Sequence, residues 1–149
     1  MIRYARVEDC ETIARLGEIF HAEAAWSDIC AFKVADCRKS LEVMCDLPDA
    51  ILLVAEQGGE IVGMAGGLIS PLYFDLTHRT GQELFWWVSP GASKGTGLKL
   101  LEAMEQAARD KGCSSWAMMA LETINSDKMA RLYRMHGYRP SERTFIKRL

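Results

Sequence analysis

The sequence predicts an α/β domain built on a mixed sheet, and three stretches carry that prediction. Residues 50–56 and 60–69 are strand-length apolar runs on either side of Gln57-Gly58-Gly59, the pattern of an antiparallel hairpin. Residues 84–88, Leu-Phe-Trp-Trp-Val, are rich in aromatic and β-branched side chains and too short for a buried helix. They lead through a glycine-rich turn into a helical pattern, after which residues 114–121 read as a further strand. A strand reached through a crossover helix lies parallel to its predecessor, so one parallel pair joins an otherwise antiparallel sheet.

Taken in order, residues 2–7 alternate weakly and form a first strand. Glu8 and Asp9 then open a helix with Ile13, Leu16, Ile19 and Phe20 on one face. Residues 26–32 connect to a second helix over 33–47, with Val34, Leu41, Met44 and Cys45 inward and Pro48 as its stop. In the second strand of the hairpin, Gly63, Gly66 and Gly67 allow another element or a ligand to approach closely, or mark a bulge. The polar stretch 71–81 reads as an irregular loop suited to a substrate. In the helix after the glycine turn, Leu98, Leu101, Met104, Ala107 and Ala108 recur every three or four residues, and Gly112 ends it. Asn125, Ser126 and Asp127 offer caps for a short helix to Met135, stopped by Gly137, and residues 138–149 make a last strand.

A chain of 149 residues is one domain, 1–149, large enough for a single core. Its apolar fraction of 49% and charged fraction of 26% are those of a soluble globular protein, with no apolar run near bilayer-spanning length. That excludes a membrane-spanning class, and the amino terminus lacks the apolar core of a signal peptide, so a cytoplasmic location is expected. The five cysteines form no C-x-x-C, and the three histidines form no ligand pair at helical spacing, so neither a disulfide framework nor a metal site is indicated. Dispersed Lys and Arg with a net charge of −2 exclude a nucleic-acid footprint, which leaves a small molecule as the expected partner.

The chemistry centres on the turn between residues 88 and 98. Gly91, Ser93, Lys94, Gly95, Thr96 and Gly97 separate a strand from a helix. Glycines let backbone approach a ligand, and unpaired N–H groups at a helix start favour a phosphate or diphosphate; a tight connection with no ligand is the alternative reading. Spacing excludes two other phosphate loops. A dinucleotide fingerprint needs glycine where Leu100 stands, and a Walker loop needs G-K-S or G-K-T, whereas Gly91 leads to Thr96.

Through Val88, Pro90, Gly95, Thr96, Gly97 and Leu101, the turn resembles the coenzyme A diphosphate loop of the GNAT superfamily of acyltransferases, with Ala92 where that family usually has Gln or Arg. Leu132-Tyr133-Arg134-Met135-His136-Gly137-Tyr138 resembles the family's L-Y-x-x-x-G-F segment, with its upstream Asn displaced by one residue to Asn125. The order of elements is similar over nearly the whole chain, and residues 83–97 with the carboxyl-terminal F-I-K-R-L resemble small phage-type or bacterial members. The resemblance implies a three-layer α/β/α sheet with one central parallel pair. It also implies acetyl-CoA as co-substrate, no metal, a primary amine of a small molecule or protein as acceptor, and a homodimer as a family-level expectation. A domain that keeps a coenzyme or peptide groove without turnover is the other implication.

On that resemblance, main-chain groups of Trp87, Val88 and Ser89 bind the pantetheine arm. Ser93, Lys94, Gly95, Thr96, Gly97 and Leu98 hold the diphosphate, Asn125 is a further coenzyme contact, and Tyr133 protonates the departing thiolate. Read from the residues alone, Tyr133 is an aromatic on the inner face of a short helix. Glu83 is the candidate general base: strand alternation puts it on the face of Phe85 and Trp87, where burial raises its pKa, the alternative being a solvated carboxylate at a strand end. His78 is a substitute base in the loop. Trp26, Phe32, Tyr73 and Phe74 are candidate walls of an acceptor pocket, or plain packing.

Overall fold

The computed structural model describes all residues, 1–149. Its elements run β1 (Ile2–Tyr4), α1 (Cys10–Glu23), α2 (Val34–Asp46), β2 (Ala50–Gln57), β3 (Glu60–Leu72), β4 (Asp75–Val88), α3 (Thr96–Asp110), β5 (Ser115–Ala117) and α4 (Ser126–Met135). The five strands form one sheet in sequence order, antiparallel from β1 to β4 and parallel between β4 and β5.

Strand β2 is apolar at nearly every position because both of its faces are covered. Ile51, Leu53 and Ala55 meet Leu100, Met104 and Ala107 of α3 on one side. Leu52 and Val54 meet Ile13 and Ala14 of α1 and Leu41 of α2 on the other. Continuous rather than alternating hydrophobicity is what a strand buried on both faces requires. Helices therefore cover both sides of the sheet, which is the expected three-layer arrangement.

Four expectations need correction. Residues 71–81 are not a loop: β3 and β4 continue through them as a long hairpin, with Leu72 opposite Asp75 and Ser70 opposite Thr80. Polar side chains misled the reading because that end of the hairpin is solvent-exposed and needs no apolar face. The parallel strand is three residues long, and it pairs with Thr80–Gln82 instead of residues 84–88. No strand forms over 138–149; residues 139–149 are exposed and irregular, so β5 lies at the sheet edge. Ile19 is 47% exposed, because Cys10, Ile13, Ala14 and Gly17 make the inner stripe of α1. Small residues at the last two positions let α1 lie close to its neighbours, and Phe32 packs over Gly17.

The glycines of β3 serve both purposes the sequence allowed. The register slips between Gly66 and Gly67, where Phe85 and Glu83 stand opposite and Leu84 is the extra residue. The Phe85 ring covers Gly66, and the Trp116 indole lies across Gly67 and Gly81, where any Cβ would overlap it. Trp116 Nε1 donates to Met118 Sδ at 3.1 Å, which fixes the ring in that position.

Replacing Gly81 with Ala forces Trp116 off the sheet. Urea denaturation of Gly81→Ala is expected to show a loss of about 1–3 kcal/mol, the usual cost of overpacking a filled site; unchanged stability would contradict this packing.

Candidate active site

The site lies where β4 and β5 part company. Their pairing ends at Gln82 and Ala117, whereas β4 continues to Val88. Ser89 N–H donates to the carbonyl of Val62 at 2.8 Å, so by antiparallel alternation Trp87 and Ser89 direct their main-chain groups toward β3. Val88 directs its own to the opposite side, beyond the point where β5 has left the sheet.

Glu83 and Tyr133 meet at this opening through one residue. A Glu83 carboxylate oxygen accepts the Met119 N–H at 3.0 Å, and the Tyr133 hydroxyl donates to the Met119 carbonyl at 2.8 Å. Both side chains are buried, at 5% and 7% exposure. Burial pushes the Glu83 carboxyl up to about 7, against the opposing effect of the Met119 N–H. The Tyr133 hydroxyl is pushed well above the usual phenol range, first by burial and then by the Glu83 carboxylate. The site thus holds a carboxyl poised near neutrality beside a phenol that keeps its proton.

Simple alternation does not set the position of Glu83, because the bulge at Leu84 intervenes. The bulge turns Leu84 outward, at 41% exposure, and leaves Glu83 buried.

Tyr133 is held by aromatic neighbours. Its ring centroid lies 6.2 Å from Trp86 and 5.6 Å from Tyr138. The Tyr138 hydroxyl donates to Glu105 of α3 at 2.8 Å and so moors the end of α4. Gly137, at φ +84°, gives the left-handed turn that brings Tyr138 back to α3. Sequence reasoning assigned Tyr138 to a strand; its signal was the aromatic residue directly after the helix-stopping glycine.

The glycine turn enters α3 through Gly95, whose φ of +85° disfavours any side chain. Thr96 N–H bonds back to the Ser93 carbonyl at 3.1 Å, but the amides of Lys94, Gly95, Gly97 and Leu98 have no acceptor within the chain. Four free donors at a helix start, with the exposed Lys94 among them, fit a diphosphate. Gly97 lies under the Trp86 indole, which would stand 3.4 Å from an added Cβ, an ordinary contact, so alanine fits there.

The Trp87 indole is not part of that turn. It points toward α1 and donates to Glu23 at 2.7 Å. Nearby, the Thr123 hydroxyl donates to the Ala24 carbonyl at 3.2 Å and ties the segment after β5 to the end of α1. Ser93 and Thr96 turn their hydroxyls inward, to Gln57 and to the Ser93 carbonyl. Asn125 adopts a left-handed backbone at φ 45°, with no side-chain capping bond. It lines a polar depression of about 460 Å³ with Glu122, Asp127, Lys128 and Arg131, none of them from the glycine turn.

Other candidates lie elsewhere. Tyr73 and Phe74 form the tip of the β3–β4 hairpin, 88% and 70% exposed. Glu83 lies eight residue steps along β4 from Asp75, roughly 26 Å of strand, so these rings do not wall this site. His78 bonds the Ser115 hydroxyl at 2.9 Å, two residues before the part of β4 that pairs with β5. Phe32 packs against His21 and Gly17. Trp26 lies in a short 3-10 turn after α1, partly exposed.

A mixed sheet opened at a parallel pair, beside a helix that starts in a glycine turn with free amides, is the architecture of acyl-coenzyme A transferases. The chain belongs to the acetyltransferase (GNAT) family, whose model matches residues 18–138. A predicted acetyltransferase with acetyl-CoA from Clostridium acetobutylicum superposes with a TM-score of 0.76 at 13% identity, over 99% of this chain and 94% of that one. A transcriptional regulator from Bacillus halodurans gives 0.80 at 18% identity, over 100% and 99%. The ribosomal-protein-alanine N-acetyltransferase from Brucella melitensis gives 0.72 at 19%, over 100% and 99%. At these identities the likeness is one of fold. No curated protein matches the sequence. No helix is long and apolar enough to cross a membrane.

The two glycines of the turn should respond differently to alanine. Gly95→Ala is expected to cost about 1–2 kcal/mol in thermal or urea unfolding, the penalty of a left-handed non-glycine residue, while Gly97→Ala stays near wild type. Equal effects would contradict the geometry of the turn.

Proposed function

We propose that this protein is an acetyl-CoA-dependent N-acetyltransferase in which a primary amine, from a small molecule or a protein, attacks the thioester directly in a ternary complex. The observation that carries the reading is the convergence of the Glu83 carboxyl and the Tyr133 hydroxyl on Met119, at the opening between β4 and β5. The amides of Lys94, Gly95, Gly97 and Leu98, with Lys94 itself, would hold the diphosphate; the Val88 carbonyl would take the pantetheine arm, since the main-chain groups of Trp87 and Ser89 face β3, and Asn125 would take a more distant part. Acetyl-CoA supplies the activated acyl group.

The residues divide the remaining work. Glu83, ionised, accepts the proton of the incoming ammonium, directly or through water, and so frees the nitrogen lone pair. The Val88 N–H, turned away from β3, is the donor available to the carbonyl oxygen as charge builds on it. Tyr133 retains its proton at neutral pH and gives it to the departing sulfur as the C–S bond breaks, and the second proton lost by the nitrogen as the amide forms restores the phenol. Holding donor and acceptor together supplies a large share of the acceleration, up to roughly 7–11 kcal/mol, so no covalent enzyme intermediate is required. The domain is expected to act as a single unit in the cytoplasm and to pair as a homodimer, as the family resemblance implies.

Isothermal titration with acetyl-CoA is expected to show saturable binding, and no heat at ligand concentrations on the order of millimolar would remove the proposal.

A base must be ionised to work, so a carboxyl raised from 4.5 to about 7 gives kcat/KM that climbs as pH rises through about 7. Glu83→Gln is expected to abolish that limb and lower kcat by about 10²–10⁴. Tyr133→Phe should lower kcat at all pH values while acetyl-CoA still binds. An unaltered pH profile in the first variant, or full kcat in the second, would contradict the assigned role.

A further inference from the structure

The glycine turn does not hold its shape alone. Gln57, the last residue of β2, reaches it from the neighbouring hairpin with both ends of its amide. Its oxygen accepts the Ser93 N–H and the Ser93 hydroxyl, each at 3.2 Å, and its nitrogen donates to the Thr96 hydroxyl at 3.0 Å. The Thr96 hydroxyl, in a residue 5% exposed, donates to the Ser93 carbonyl at 2.7 Å. Every polar atom of the Gln57 amide group except one N–H is thereby committed to two residues of the turn, one on each side of Lys94 and Gly95.

These bonds have a directional consequence. Ser93 and Thr96 carry the inward-facing polar groups of the turn, and Gln57 satisfies them from below. The residues between and after them, Lys94, Gly95, Gly97 and Leu98, are left with amides that meet no acceptor within the chain. An amide side chain suits this position because it accepts and donates at once: the Ser93 groups need an acceptor, and the Thr96 hydroxyl, already donating to a carbonyl, needs a donor. A carboxylate offers no donor and places negative charge beneath an anion site.

We infer that Gln57 is a positioning residue for the diphosphate of coenzyme A: it fixes the turn from Ser93 to Thr96 so that the amides of Lys94, Gly95, Gly97 and Leu98 point outward together. It touches neither the acyl group nor the diphosphate, and its effect passes through Ser93 and Thr96. The inference rests on the coenzyme reading given above.

The test compares two acetyl donors, acetyl-CoA and S-acetylpantetheine, which shares the thioester arm but lacks the diphosphate. With Gln57→Ala, the KM for acetyl-CoA and the Kd for CoA by titration are expected to rise about tenfold, as for the loss of one part-buried and two exposed hydrogen bonds. The kcat with acetyl-CoA and all constants with S-acetylpantetheine are expected to stay near wild type. Gln57→Glu should weaken acetyl-CoA further, in a manner relieved by added salt, again without affecting S-acetylpantetheine. Equal losses with both donors, or no loss with either, would overturn the role of Gln57. Wild-type protein that binds no CoA would instead remove the coenzyme reading, and this role with it.

Discussion

The structure depends on one constraint: β4 and β5 are parallel neighbours for three residues and then diverge. Up to Gln82 and Ala117 the strands satisfy each other. Beyond that point β4 continues, held only by β3, and the main-chain groups on its other side lose their partner. A sheet interior tolerates this only where side chains, water or a ligand take over. On the departing side, the main-chain groups of Met119 are met by Glu83, which accepts its N–H, and by Tyr133, which donates to its carbonyl. The polar groups that stabilise the opening are the groups assigned to its chemistry.

The same divergence explains the unusual state of Glu83. A carboxyl at the paired end of a strand would be solvated; at a bulge roofed by the segment after β5 it loses water and gains a single N–H. Desolvation outweighs that bond, and the group titrates near neutrality. Two contacts brace the surroundings from opposite sides: Tyr138 moors α4 to α3 through Glu105, and Trp87 anchors β4 to α1 through Glu23. Neither brace needs to react in order to matter, since each limits where Tyr133 and the β4 backbone can lie.

Much of this was legible in the sequence where a pattern has a local cause. The hairpin around Gly58 and Gly59, the helix after the glycine turn, the left-handed stop at Gly137 and the parallel crossover follow from periodicity, glycine conformation and chain handedness. The GNAT family itself was legible from the turn and the Tyr133 segment. What was not legible depends on non-local pairing. A polar, exposed stretch such as 71–81 is indistinguishable from a loop until its partner strand is known, and 138–149 carries strand-like residues without the pairing to make one. Gln57 gave no signal beyond its place before two glycines, because its role exists only when β2 meets the turn. Met119 acts through its backbone, which sequence does not encode by residue type.

The central claim is that the free amides at the start of α3 grip the diphosphate and so lay the thioester in the opening beside Tyr133. The most direct measurement is an amide-resolved proton–nitrogen NMR titration of the whole chain with CoA. The account predicts that the signals of Lys94, Gly95, Gly97 and Leu98 move together, with Val88 following, and saturate at a single affinity. Shifts confined to residues around the 122–131 depression, with the glycine turn unmoved, would contradict it.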